Sequence, residues 1–555
     1  MVVSAMGKNT DMLEALAGEV SERPPAREMD MLLSTGEQVS VALMAMAIDS
    51  LGAKGVSLTG AQIGIRTDNT HTKARIRSIS TERVDELLQQ GYIVIAAGFQ
   101  GIDEQLNITT LGRGGSDTTA VALAAVLGAA ECQIYTDVDG VYTTDPRLLP
   151  AARQVKRISY DEMLELASLG AGVMHSRSIE FAKKFGVPIH VRNSFSDVPG
   201  TIISEVAEDR NAAVSGATLT KDEARVSVTN VPDVPGSLYE VISQVANRNV
   251  TVDMIVQNVG HDGVADVSFT VPANELPQTL EAVEAARSRL GDIQILSHDE
   301  VSKISVVGLG MAHQTGVAAK MFEILANDQI NLQMITTSEI KISALIDRQD
   351  AFDSLQAVHA AFNLHLPPKQ ALPSTPAASE PTPRDVQDLV TRLHELDMED
   401  LYLDGIELDD SQACVTVGEL QDEPGVAAKI FKALGQQKVF VDMIVQSFSP
   451  AGLAFLSFTV PQDALVVAAE VTRGVAAEMQ CGPVTTSPKI AKLSVSGIGL
   501  RSHTGVAIEV FKALAENGIN MSMINTSEVR VNVVVAPELG EQALACLKTA
   551  FKDKL

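Results

Sequence analysis

One hexapeptide occurs twice in this chain, and that duplication constrains the fold more than any other feature. Val252-Asp253-Met254-Ile255-Val256-Gln257 returns unchanged as Val441-Asp442-Met443-Ile444-Val445-Gln446, 189 residues later. Ser268-Phe269-Thr270-Val271-Pro272 recurs at residues 457–461, and Thr337-Ser338-Glu339 as Thr526-Ser527-Glu528, both at the same offset. Self-similarity at a fixed period marks a duplicated structural unit. A weaker step of 80 residues lies inside each copy, from Pro235-Gly236 to Thr315-Gly316 and from Pro424-Gly425 to Thr504-Gly505. Four related units therefore stand in two tandem pairs. In each, a strand runs through a glycine turn into an amphipathic helix. A strand carrying Met254, Met334, Met443 or Met523 follows, then a further strand and a second helix. That order predicts ferredoxin-like β-α-β-β-α-β units over residues 222–300, 301–366, 405–488 and 489–555. Residues 367–386, with Pro367, Pro368, Pro373, Pro376, Pro381 and Pro383, read as a linker rather than a packed element.

Residues 1–205 follow a different rule, alternating helical and strand periods as a layered α/β sheet does. Residues 38–51 and 118–127 read as helices, residues 92–97 and 132–135 as buried strands. Met1-Val2-Val3 is apolar from the first residue and reads as a strand end. It is either a short edge strand at a true terminus or the remainder of a longer one.

Composition narrows the function classes. The chain of 555 residues carries 43 Lys plus Arg against 70 Asp plus Glu, a net charge of −27. Such an excess of acid argues against a partner made of nucleic acid or an anionic membrane, whose phosphates demand a basic surface. Cys132, Cys414, Cys481 and Cys546 form no CxxC pair and the histidines do not cluster, so neither a disulfide framework nor a resident metal site is expected. No apolar run approaches the ~18 residues of a membrane span, and residues 1–20 do not show the charged-then-apolar layout expected of a signal peptide. A cytoplasmic protein is expected.

The chemistry concentrates in two stretches. In Thr110-Leu111-Gly112-Arg113-Gly114-Gly115-Ser116-Asp117-Thr118, glycines free the backbone and Ser116 or Asp117 is placed to cap the helix that follows. The helix N-terminus and the fork of Arg113 together suit a carboxylate or phosphate. Thr136-Asp137-Val138-Asp139-Gly140-Val141-Tyr142-Thr143-Thr144-Asp145-Pro146-Arg147 sets carboxylates just past a buried strand, where open α/β sheets bind ligands. A P-loop is excluded, because Ala61 stands where its lysine belongs. Ser34-Thr35-Gly36-Glu37 reads as a cap ahead of the helix at 38–51, and His175 as a structural histidine.

Residues 2–8, 34–37, 112–120 and 136–147 together resemble aspartate kinase (aspartokinase), of the amino-acid kinase superfamily, and the four repeats resemble ACT domains. The likeness covers nearly the whole chain. It implies an amino-acid-kinase layered α/β sandwich followed by four ACT units. The implied reaction is phosphorylation of the L-aspartate β-carboxylate by ATP with Mg²⁺. By the resemblance, Glu37 holds the substrate amino group, Arg113 its carboxylate, and Asp117 orients the catalytic lysine. Thr136, Asp137, Tyr142 and Arg147 would line the ATP site. Lysine or threonine would bind the first and third units at Asp233, Gly236, Asp253 and Gln257, and at Asp422, Gly425, Asp442 and Gln446. A homo-oligomer formed through the ACT domains is implied as well. Two departures stand out. The family's Lys-Phe-Gly-Gly-Thr-Ser loop, which carries the catalytic lysine, is not in this sequence, and Gly172 replaces a nucleotide-contacting lysine. These lead to the expectation of a native start further upstream. They also leave the alternative of a regulatory subunit that senses amino acids without catalysis.

Overall fold

The computed structural model describes residues 1–170, 172–209, 212–259, 263–368, 398–421, 423–448, 453–500 and 505–555. Asp422, most of the expected linker and the Ser502-His503-Thr504 turn lie outside the described residues.

The N-terminal region is built on three small sheets. Val2–Val3 pairs parallel with Ile93–Ala97, which pairs in turn with Gly55–Leu58. Cys132–Thr136 lies parallel to Ile189–Asn193 in a four-stranded sheet completed by Thr201–Ser204 and Arg157–Ser159. A third sheet runs in the order Ile76–Ile79, Ile65–Thr67, Gln100–Ile102, Ile108–Thr110. The helix Gly115–Val126 is rich in alanine and threonine, which lets it bury almost every side and pack between strands and the helix Ser176–Phe185.

Two local expectations are corrected here. The helix expected at residues 38–51 is one continuous element, Ala26–Ser50, and Ser34-Thr35-Gly36-Glu37 lies in its middle. Pro25, in extended conformation, is its N-cap. Inside the helix the Ser34 and Thr35 hydroxyls donate back to the carbonyls of Met31 and Leu32, at 2.9 and 2.7 Å. Back-bonding of this kind satisfies cap-type residues without ending a helix. Gly36 serves packing: a Cβ there would sit 2.9 Å from that of Ala5. At 25 residues this helix is long and apolar enough to cross a membrane by length and composition alone, although polar and charged residues interrupt its apolar stretches. It nevertheless carries buried Asp30 and Glu37 and packs on the sheet strands. The second correction concerns the glycine loop. Its helix starts at Gly115 with Gly114 as N-cap in the left-handed region (φ 69°), and neither Ser116 nor Asp117 caps it.

The repeats assemble across the tandem order. Units 1, 2 and 3 share one ten-stranded sheet, while three strands of unit 4 form a separate four-stranded sheet with Tyr402–Asp409. Unit 2 joins unit 3 where Met334–Thr337 pairs antiparallel with Ile444–Phe448. Their helices Val317–Asn327 and Val426–Gln436 share a core, with the Phe322 and Phe431 rings 5.6 Å apart. Unit 1 shares a core with unit 4, through Val241, Phe269, Phe511 and Phe551. At the centre, Met254, Met334, Met443 and Met523 meet in one cluster, one methionine from each unit. The two halves are thus related as the subunits of a two-fold dimer are: equivalent residues make exchanged contacts. Gln257 donates to the carbonyl of Met521 at 3.0 Å, and its repeat mate Gln446 to that of Leu332, the mate of Met521, at 2.8 Å.

Strand order also departs from plain tandem units. In Gly216–Pro232, residues 216–220 pair with residues 303–307 of unit 2, and residues 225–229 pair with 294–298 of unit 1. The fourth strand of unit 2 therefore comes from upstream of unit 1. Likewise Tyr402–Asp409, most of it inside the span 405–488 expected for unit 3, pairs with Ala491–Ile498 of unit 4, so the sheet of unit 3 begins only at Gln412–Gln421.

Candidate active site

A cleft of about 1610 Å³ opens beside the glycine loop, lined by Ala5, Glu37, residues 110–117 and residues 172–177. The loop is shaped by close approach. A Cβ on Gly114 would lie 2.3 Å from the Cβ of His175, and one on Gly98 would lie 2.8 Å from the Ser116 hydroxyl. Glycine at both places is what lets the loop fold down on its neighbours.

Three predicted residues, Glu37, Arg113 and Asp117, are brought together around this cleft. Glu37 is buried; Oε1 accepts from the Ala5 amide at 3.0 Å, while Oε2 is buried with no hydrogen-bond partner among the described residues. Burial raises its pKa, only partly offset by that backbone bond. A carboxylate fixed through one oxygen leaves the other for a cationic ligand group. Asp117 is raised further, to about 6, by burial. Two carboxylates short of compensation in one cleft are what a site awaiting a cation looks like. Arg113 is exposed at the mouth. His175, expected to be structural, caps the helix Ser176–Phe185 by accepting from the Arg177 amide at 3.3 Å. Its pKa is lowered by burial, then by Arg177 and Arg113, which favours the neutral ring.

Thr136, Asp137, Tyr142 and Arg147 do not line this cleft. They lie at and beyond the carboxyl end of Cys132–Thr136. The Thr136 hydroxyl donates to Asp137 Oδ1 at 3.2 Å, and Tyr142 forms a bridge with Gln154. Arg147 is engaged with Asp145, Nη2 to Oδ2 at 2.8 Å, and the Arg147 hydrogen bond pulls the Asp145 pKa down. Asp139 Oδ1 accepts from Asn193 at 2.7 Å.

In the regulatory units, Asp253 and Asp442 are already paired, with Lys303 and Lys492 respectively. Asp233 accepts from Asn520 of unit 4 at 2.7 Å. Gly236 and Gly425 precede helices with φ of 97° and 101°, and each faces an alanine of the partnering unit, Ala515 and Ala326. Gln257 Oε1 and Gln446 Oε1 are buried with no hydrogen-bond partner among the described residues. Gln446 and Gly425 line a small cavity with Asn331 and Leu332 of unit 2. A larger cavity of about 310 Å³ lies between residues 311–319 of unit 2 and 439–442 of unit 3.

Residues 1–193 match the amino acid kinase family model, and residues 304–362, 415–473 and 493–551 match an ACT domain model. The aspartate kinase of Stutzerimonas stutzeri A1501 is 48% identical over 369 residues, 66% of this chain and 90% of that protein. The chain belongs to the aspartokinase family. The aspartokinase of Geobacillus stearothermophilus is 49% identical over 66% of this chain and 89% of its own length. The crystal structure of aspartate kinase from Synechocystis matches 99% of this chain and 92% of that one, with TM-score 0.55 and 38% identity. Escherichia coli aspartokinase III, solved with aspartate and ADP, shares the fold at 23% identity, TM-score 0.54, over 64% of this chain and 80% of that one. The kinase fold and the ACT units expected from the sequence are therefore present, and the chain is a kinase by family.

Several polar residues with structural weight in this region escaped the sequence reading. Asp30 is fully buried and receives His71, the Thr72 amide and the Thr110 hydroxyl, which pins the strand leading into the glycine loop. Glu165, also fully buried, takes Lys341 of unit 2 at 2.8 Å and the Glu528 amide of unit 4 at 3.2 Å. His359 of unit 2 lies 3.0 Å from the Thr143 hydroxyl. None carries a local sequence signal, because every partner is distant along the chain.

Proposed function

We propose that this chain transfers the γ-phosphoryl group of ATP to the β-carboxylate of L-aspartate and is restrained by lysine or threonine bound at its ACT junctions. The observation that carries the reading is the grouping of Glu37, Arg113 and Asp117 around one cleft, with a carboxylate oxygen of Glu37 left unpartnered. Glu37 would take the substrate ammonium and Arg113 the α-carboxylate, leaving the β-carboxylate directed inward. Phosphoryl transfer needs placement and neutralisation of charge more than covalent chemistry. Asp117, raised by burial, would hold a cationic group against the transferring phosphate. Thr136, Asp137, Tyr142 and Arg147 would bind the nucleotide. Mg²⁺ would enter with it and neutralise phosphate charge: the described residues hold no cluster of three metal-ligating side chains, which suits an ion bound chiefly by phosphate and water. Gln257 Oε1 and Gln446 Oε1 would accept the effector's ammonium, with Gly236 and Gly425 opening the helix N-termini to its carboxylate. The reading includes a cytoplasmic location and a homo-oligomer.

The test is aspartyl hydroxamate formation with ATP, Mg²⁺ and L-aspartate. Product that depends on both substrates, and that Glu37→Gln reduces at least tenfold, supports the reading. No product, together with a thermal shift on adding lysine or threonine, would leave sensing as the chain's role.

A further inference from the structure

After unit 2 the chain returns to the kinase region at residues 398–400. The amides of Met398 and Glu399 donate to the carbonyls of Arg77 and Ile76, at 3.0 and 3.2 Å. Met398 is 1% exposed, so the segment is seated on that edge strand and not merely resting against it. Lys184 Nζ donates to the Asp400 carbonyl at 2.9 Å and holds the other end. All three residues line the cleft that contains Arg113 and Asp117.

The central contact is between Glu399 and Arg177. Arg177 Nε donates to Glu399 Oε2 at 3.0 Å, and Nη2 reaches the same oxygen. The guanidinium also donates through Nη1 to the carbonyl of Leu111 and through Nη2 to that of Ala74, the latter at 2.6 Å. Leu111 immediately precedes Gly112 and Arg113, and the Ala74 amide in turn donates to the carbonyl of Thr110. One planar cation therefore ties both sides of the glycine loop's entry. With side-chain exposures of 14% for Arg177 and 8% for Glu399, the charge is largely removed from water. Two neutral carbonyls do not balance a desolvated guanidinium, so this arrangement depends on the carboxylate. That carboxylate comes from a residue 222 positions away, three residues before the strand Tyr402–Asp409 that belongs to the sheet of unit 4.

We propose that Glu399 is a positioning residue for the substrate loop. Acting through Arg177, it holds Leu111 and the following Arg113 in place, and it couples that placement to unit 4. Displacement of unit 4 would pull on residues 398–400 and loosen the loop that holds the substrate carboxylate. The assignment of that carboxylate to Arg113 rests on the function proposed above.

The full chain with Glu399→Gln, close to isosteric and without charge, tests this, with Glu399→Asp as a second variant in case the first fails to fold. Amide hydrogen exchange is read without substrate, and binding of L-aspartate and of ADP is read by calorimetry. The expected result is several-fold faster exchange confined to residues 108–117. It comes with about tenfold weaker L-aspartate binding and ADP binding within twofold of the parent, a selective loss that general destabilisation does not give. Unchanged exchange at 108–117, or faster exchange spread evenly over the kinase region, overturns the proposal. Local loosening with unchanged L-aspartate affinity upholds the clamp and overturns the role given to Arg113.

Discussion

Replacing Asp117 by asparagine should stabilise the protein, and the gain should depend on pH. The carboxyl is buried with nothing offsetting its desolvation, and its pKa rises from 3.8 to about 6. Unfolded, the group loses its proton near the lower value; folded, it keeps the proton until the higher one. Between the two, the folded state binds more protons, so stability falls as pH rises through the window and the penalty is complete above it. Two pKa units at ~1.4 kcal/mol each give about 3 kcal/mol, which residual solvent contact at Asp117 lowers to about 2. Asparagine has no such penalty. For a domain of this size, ~2 kcal/mol corresponds to roughly 4–8 °C in the melting transition. About half of the penalty is already present at pH 5. Calorimetric melts of both proteins at pH 5 and pH 7.5 should therefore show the asparagine variant ahead at both, with a gap about twice as wide at the higher pH. A gap independent of pH, or an asparagine variant less stable at pH 7.5, would refute the reasoning. The same variant should lose hydroxamate formation, since the costly charge is the one the proposed chemistry uses.

Other outcomes follow from the same contacts. Gly114→Ala drives a methyl into His175 at a left-handed φ and should cost about 1–3 kcal/mol in denaturant melts while weakening L-aspartate binding at least tenfold. Lys341→Met leaves Glu165 buried without its cation and should destabilise by about 3–5 kcal/mol. Adding Glu165→Leu should restore much of that loss in urea titrations, because an apolar pair has no desolvation cost. Gln446→Leu removes the bond to Leu332 and the unpartnered oxygen together. Its signature should be a diminished thermal shift with one effector and an undisturbed response from the unit 1–unit 4 junction, where Gln257 is intact.

Much of the local structure was legible because its causes are local. The small-residue run from Thr118 onward can only be a helix packed tightly on its neighbours, and Ile93–Ala97 is too short and apolar to be anything but a buried strand. Where local reasoning failed, a contact from elsewhere had reset the preference. Ser34-Thr35-Gly36-Glu37 has cap chemistry, yet Pro25 starts the helix earlier and Ala5 demands a glycine in its middle. Asp253 and Asp442 also carry a contact that their own neighbourhoods do not announce, since Lys303 and Lys492, from the strands of the following units, pair with them. In the candidate site the glycine loop was readable, since phosphate and carboxylate loops have a compositional signature. Arg177 and Glu399 were not, because an ion pair 222 positions apart leaves no pattern in either neighbourhood.

By itself the sequence determined that four like units stand in two tandem copies, since a repeated hexapeptide buries the same face wherever it occurs. It could not determine which unit meets which. Any of the four exposes equivalent apolar helices and an equivalent strand edge, so local pattern is degenerate among the pairings. Tertiary structure resolved this by matching unit 1 with unit 4 and unit 2 with unit 3, drawing Met254, Met334, Met443 and Met523 into one core. Glu165 of the kinase region takes Lys341, while the repeat mate of that lysine, Arg530, pairs with Glu339. The repeats supply similar surfaces, and packing against the kinase domain gives equivalent positions different partners.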